Sequence, residues 1–116
     1  IFRNIIARTG SVHEQQANIP VALASDFNPG SSPSGNMNFV LSLACIALRM
    51  RPEEAINAAT WNGACALELQ DEVGAIAPGL RANLILTHPV PDPAYLPYAF
   101  GSNLIREVWI NGKRQE

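Results

Sequence analysis

The apolar positions divide the chain into segments of different period. Ile1, Phe2, Ile5 and Ile6 are close to helical spacing and predict a short helix over residues 1–9, ended by Gly10. "IPVALAS", residues 19–25, is apolar on both alternating faces and β-branched at Ile19 and Val21. It predicts a strand buried on both sides, the kind that parallel sheets use. After a loop of Asn28, Pro29, Gly30, Ser31, Ser32 and Pro33, the positions Met37, Val40, Leu41, Ala44, Ile46, Ala47 and Leu48 predict a strongly apolar, largely buried helix. Ser34 or Asn36 suits its N-cap. "RPEEAINAATWNGACALEL" predicts a second helix, with Pro52 at the first helical position and Glu53 and Glu54 at the positive end of the dipole. Ile56, Ala59, Gly63 and Leu67 then form one stripe whose small residues permit close packing.

From Val73 the texture changes. "VGAIAPGLRANLILTH" predicts two short strands around a Pro-Gly turn, and "IREVWINGKRQE" a strand running into an Asn-Gly hairpin turn. Between them "PVPDPAYLPYAFGSN" reads as a proline-rich surface loop. The chain thus falls into a βαα part, residues 1–72, and a β part, residues 73–116, with no internal repeat. Val21, Leu23, Leu41, Leu43, Ala44, Leu48, Ile56 and Leu67 are the expected packing positions.

Composition sharpens this reading. Of the 116 residues 47% are hydrophobic and 16% charged, too apolar for a disordered chain and short of charge to solvate its outside. That surplus predicts apolar surface meant to be covered. A net charge of −2 without a Lys/Arg cluster argues against nucleic acid or an acidic membrane as partner, and favours a small substrate or a protein. Cys45 and Cys65, with no Cys-x-x-Cys spacing, read as buried free thiols rather than a disulfide or metal pair. No apolar run reaches the ~18 residues of a membrane-spanning helix, and a cytoplasmic protein is the expectation. His13 and His88 read as solvated loop residues, and Trp61 and Trp109 as packing residues.

The remaining question is why the apolar run ends on Asp26. Barrels of the α/β type deliver catalytic carboxylates at the C-terminal ends of their strands, although an Asp after a strand is more commonly a turn former or helix cap. The neighbouring blocks decide. "ALASDFNPGSSP", "SLAC", "PEEAINAATWNGACAL", "VGAIAPGLRANLIL", "LPYAFGSNLI" and "VWINGK" together resemble the C-terminal part of the imidazolonepropionase family, metal-dependent members of the amidohydrolase superfamily. Their order and spacing match from Ile19 onward. Residues 1–18, including "TGSVHEQQAN", match poorly and carry no function here.

The resemblance implies a (β/α)8 barrel with a small β-sandwich, of which this chain would supply the last barrel strand, the helices after it and a returning sandwich segment. It implies ring opening of 4-imidazolone-5-propanoate by water to give N-formimidoyl-L-glutamate, in histidine degradation. Asp26 falls at the family's strand-eight metal ligand, which doubles as a proton shuttle; Asn28, Gly30 and Ser31 fall at its substrate-contacting positions. One divalent metal, zinc or iron, is implied, completed by histidines outside this chain. The family's His-x-His pair is absent from the sequence, and one carboxylate cannot hold a catalytic metal, so these residues alone are expected to be inactive. The partners implied are a small-molecule substrate, the remainder of the same polypeptide and, when intact, a second copy in a homodimer. Ala82, Asn83 and Leu84 stand where many amidohydrolases have Ala-Asp-Leu, which removes a carboxylate and puts local pairing there in doubt. Two other readings stay open: another cyclic-amide hydrolase or deaminase of the superfamily, and a noncatalytic binding module.

Overall fold

The computed structural model describes residues 19–116, so the helix expected over residues 1–9, and His13, lie outside the described residues. Helix α1, Met37–Ala47, starts where predicted because the Asn36 side-chain oxygen accepts from the backbone N–H of Asn38 at 3.1 Å and of Phe39 at 3.3 Å. It ends as Arg49 turns left-handed, φ +56°, while the Ala44 carbonyl accepts from the N–H groups of Leu48 and Met50. Val40, Leu41, Ser42 and Ala44 are buried and the other positions but Ile46 and Ala47 are half-buried, so the helix is largely covered as expected, with Ile46 75% exposed.

Helix α2, Pro52–Ala59, carries Pro52 in its first turn, as its fixed φ favours. Glu54 reaches back to accept from the Arg51 N–H at 2.8 Å and pairs with the Arg51 guanidinium at 3.1 Å. The backbone N–H and then the side chain of Arg51 hold the Glu54 carboxyl below the usual range. The stripe predicted through Leu67 is interrupted at Thr60, whose backbone (φ −113°, ψ −84°) leaves the helix, and α3, Trp61–Ala66, follows on a new course. Leu67 lies beyond that break, 71% exposed, and does not pack as expected. The core is where α1 meets α2. Leu41, Ala44 and Leu48 close on Ala55 and Ala58, which have no exposed surface, with Leu23 and Met50 filling the ends. Alanines at the crossing let the backbones approach closely, and burying each large side chain removes enough apolar area to stabilise by roughly 1.5–3 kcal/mol.

Residues 19–25 form no strand. Strand identity rests on a ladder, and no described segment pairs with them; only Leu23 is fully buried, and its N–H donates to the Ala58 carbonyl at 3.0 Å. Residues 73–80 are likewise turns, not a strand. Leu80 N–H donates to Ala77 O at 3.2 Å across Pro78 and Gly79, with Gly79 at φ +93°, the geometry of a type II turn. The Arg81 N–H to Glu72 O bond at 2.8 Å and the Arg81–Glu72 ion pair close this excursion.

The tail forms a three-stranded antiparallel sheet in the order β1 (Leu84–Thr87), β2 (Ile105–Ile110), β3 (Lys113–Arg114). Leu84 pairs with Trp109, and the register slips at a bulge between Leu86 and Thr87. The predicted hairpin is present: Asn111 (φ +49°) and Gly112 (φ +74°) are both left-handed, as a two-residue turn matching the sheet twist requires. Pairing beside Asn83 is intact, because its Oδ1 accepts from the Asn111 N–H at 2.8 Å while Gly112 N–H donates to Ala82 O at 3.0 Å. An amide oxygen suffices where a carboxylate oxygen was expected. The proline-rich segment is more than a surface loop. It contains a short helix, α4 (Tyr95–Tyr98), with Pro97 buried, and sets the Phe100 ring 5.4 Å from that of Phe39 on α1.

Trp109 is half-buried, with its indole N–H donating to Glu107 at 3.0 Å, whereas Trp61 is 38% exposed. Both cysteines are free, but only Cys45 is partly covered, and there burial, then the charge of Glu53, pushes the thiol pKa up; Cys65 is exposed on α3. No described helix is long and apolar enough to cross a membrane.

Candidate active site

Asp26 ends the 19–25 segment in a left-handed conformation, φ +49°, which Asp tolerates better than most side chains. Its carboxylate is exposed and has no hydrogen-bond or ion-pair partner among the described residues. The loop after it is built around one side chain. Asn28 Oδ1 accepts from Gly30 N–H at 3.0 Å, Ser31 N–H at 2.8 Å and Ser31 Oγ at 3.1 Å, while its Nδ2 donates to the Asp26 carbonyl at 2.7 Å. The backbones of Asn28 and Ser32 exchange a pair of bonds at 2.9 and 3.1 Å, and Ser32 Oγ donates to Ser25 O at 3.3 Å. An Asn that satisfies three donors two and three residues on fixes a tight turn without help from any ligand.

The four residues singled out from the sequence therefore lie together on one pre-formed loop. What they leave unused is one N–H of Asn28, the lone pairs of Ser31 Oγ and the whole Asp26 carboxylate. A Cβ on Gly30 would meet Asn28 Oδ1 at 3.4 Å, an ordinary contact, so packing alone does not demand glycine there.

The segment leading to Asp26 is tied from below. Because α2 breaks at Thr60, the Ala58 carbonyl is free to accept from Leu23, and the Asn62 side chain donates to the Val21 carbonyl at 2.7 Å. Asn57 Nδ2 donates to Asn62 Oδ1 at 3.2 Å. Sequence reasoning did not single out Asn62. Its signal is present all the same: two asparagines, poor helix-interior residues, stand five apart in a stretch rich in alanine.

The resemblance implies a divalent metal, which needs several ligands. Among the described residues no group of three or more His, Cys, Asp or Glu side chains is placed to hold one. Asp26 offers a single donor, and His88 is an exposed residue after β1 whose backbone N–H donates to Leu104 O at 2.9 Å. The described residues thus do not form a metal site by themselves.

Comparison with known proteins gives this arrangement a context. Imidazolonepropionase from Christiangramia forsetii is 60% identical over 97 residues, 84% of this chain and 24% of that protein. The enzyme of the same name from Alkaliphilus metalliredigens is 40% identical over 95 residues, 82% of this chain and 22% of that protein. The chain accordingly spans about a quarter of the length of the curated relatives it matches. Among solved structures, an amidohydrolase from Thermotoga maritima superposes with a TM-score of 0.71 at 21% identity, covering 99% of this chain and 26% of that one. Guanine deaminase from E. coli gives 0.74 at 21% identity, covering 99% and 32%. At that identity they establish the fold. The amidohydrolase family model matches residues 3–114, beginning upstream of the blocks legible from Ile19, and the chain belongs to the amidohydrolase family.

Proposed function

We propose that this chain is the C-terminal part of an imidazolonepropionase, in which residues 19–25, unpaired among the described residues, join strands of the remaining polypeptide as the last barrel strand, followed by the helices and a segment of the β-sandwich. The observation that carries the proposal is the Asp26–Ser31 loop: an unpaired, exposed carboxylate beside a turn whose shape is fixed by its own bonds. The high identity to enzymes of that name supports the same reading. In the whole protein Asp26 supplies one ligand to a divalent metal, zinc or iron, and histidines in the remainder of the polypeptide supply the others. When bound, such a metal polarises water and the ring carbonyl.

Asp26 then accepts a proton from the water whose oxygen bonds to the ring carbonyl carbon, and returns it to the ring nitrogen as the C–N bond breaks. Water is consumed, a carboxylate forms, and 4-imidazolone-5-propanoate becomes N-formimidoyl-L-glutamate. The free N–H of Asn28 and the hydroxyl of Ser31 bind the polar groups of the substrate, and Gly30 leaves room for its approach. The test is turnover of the full-length protein on a panel of substrates. Fastest hydrolysis of 4-imidazolone-5-propanoate is expected; preference for another cyclic amide, or for deamination of a purine, would overturn the assignment.

A further inference from the structure

Resting on the hydrolase reading of Asp26, we infer that Asn62 is a positioning residue for that carboxylate, acting through the backbone of residues 21–26. The Asn62 amide reaches 41 residues back along the sequence to the Val21 carbonyl, at 2.7 Å and partly buried. Its orientation is set, because its Oδ1 is occupied by the Asn57 amide at 3.2 Å, which turns the NH2 group toward Val21. A second tie, Leu23 N–H to Ala58 O at 3.0 Å, comes from the same helix break. Two ties at alternate residues, Val21 and Leu23, hold this segment to the helix break.

Downstream, Ser25 O and Asp26 O are held by Ser32 and Asn28, which belong to the same loop and move with it. The path of the backbone through residues 21–26 decides where the Asp26 side chain can reach. Among the described residues, Asn62 is the side chain from another element that bonds to that stretch of backbone. A shift of about 1 Å at a reacting group can cost about 10²-fold in rate, so the loss of this tie should be visible in catalysis.

The test uses the full-length enzyme. Asn62→Asp keeps the shape and sets an oxygen against the Val21 carbonyl. It should lower kcat by about 10- to 100-fold with KM within about twofold, because the effect falls on the reacting group rather than on uniform binding. Hydrogen exchange of the Leu23 amide should speed up about fivefold or more as the segment opens locally. Placed in an Asp26→Asn background, the same change should cost less than about twofold, since a residue that acts through Asp26 has nothing left to position. Should Asn62→Asp not fold, Asn57→Ala, which frees the amide to rotate, decides by the same three readouts with a smaller loss of kcat. Near-normal kcat and exchange, or an equal loss of kcat with and without Asp26, would overturn the inference. Wild-type turnover in Asp26→Asn alone would instead overturn the hydrolase reading, and exchange at Leu23 would still report the clamp.

Discussion

Ser31 donates to Asn28 Oδ1 twice, through its N–H at 2.8 Å and its Oγ at 3.1 Å. Removing the hydroxyl leaves the backbone bond, so Ser31→Ala should preserve the turn and subtract only a contact to the substrate. In the full-length enzyme we expect KM to rise with kcat little changed, read from steady-state kinetics; a fall in kcat at constant KM would assign Ser31 to the transition state instead. At this scale the turn was legible because Asn, Gly and Ser in that order carry a turn chemistry, while the site roles of Asp26, Asn28, Gly30 and Ser31 rest on the family pattern. Asn62 was not, because its role lies in a bond to a carbonyl 41 residues away, and side-chain identity alone does not disclose a distant partner.

Gly74 illustrates what elements demand of single positions. At φ +103°, with a Cβ that would lie 2.6 Å from that of Ala64, it lets the turn after α3 fold back against the helix. Gly74→Ala should destabilise the full-length protein by roughly 1–3 kcal/mol, from backbone strain and overpacking together, in denaturant titrations. A cost below about 0.5 kcal/mol, the surface-like range, would contradict this packing. Truncation of Leu41 to Ala, in the contact between α1 and α2, should cost on the order of 2–5 kcal/mol by the same measurement. Element starts and the hairpin were legible because caps, Pro52 and Asn111-Gly112 are local signals. The strand expected over residues 19–25 and the single stripe to Leu67 were not, since ladder pairing and the break at Thr60 are decided by what the segments pack against.

Several large apolar side chains are exposed among the described residues. Phe27, Ile46, Ile76 and Tyr98 are 66–89% exposed, two on helices and two on loops. The isolated 116-residue chain should therefore self-associate or bind a hydrophobic dye, as ultracentrifugation and fluorescence would show. A monomer with a sharp, reversible two-state melt would favour a freestanding binding module. The central claim, that this part of the molecule brings a working carboxylate to a hydrolase site, is tested most directly by the kcat of full-length Asp26→Asn on 4-imidazolone-5-propanoate, with metal content measured alongside. Asparagine shares the tolerance of aspartate for the left-handed backbone at φ +49°, so the exchange removes charge and proton acceptor without disturbing the turn. Turnover should fall by roughly 10²-fold or more, the scale of a lost general acid or base. Near-normal turnover with normal metal content would make Asp26 an ordinary turn residue and contradict the account.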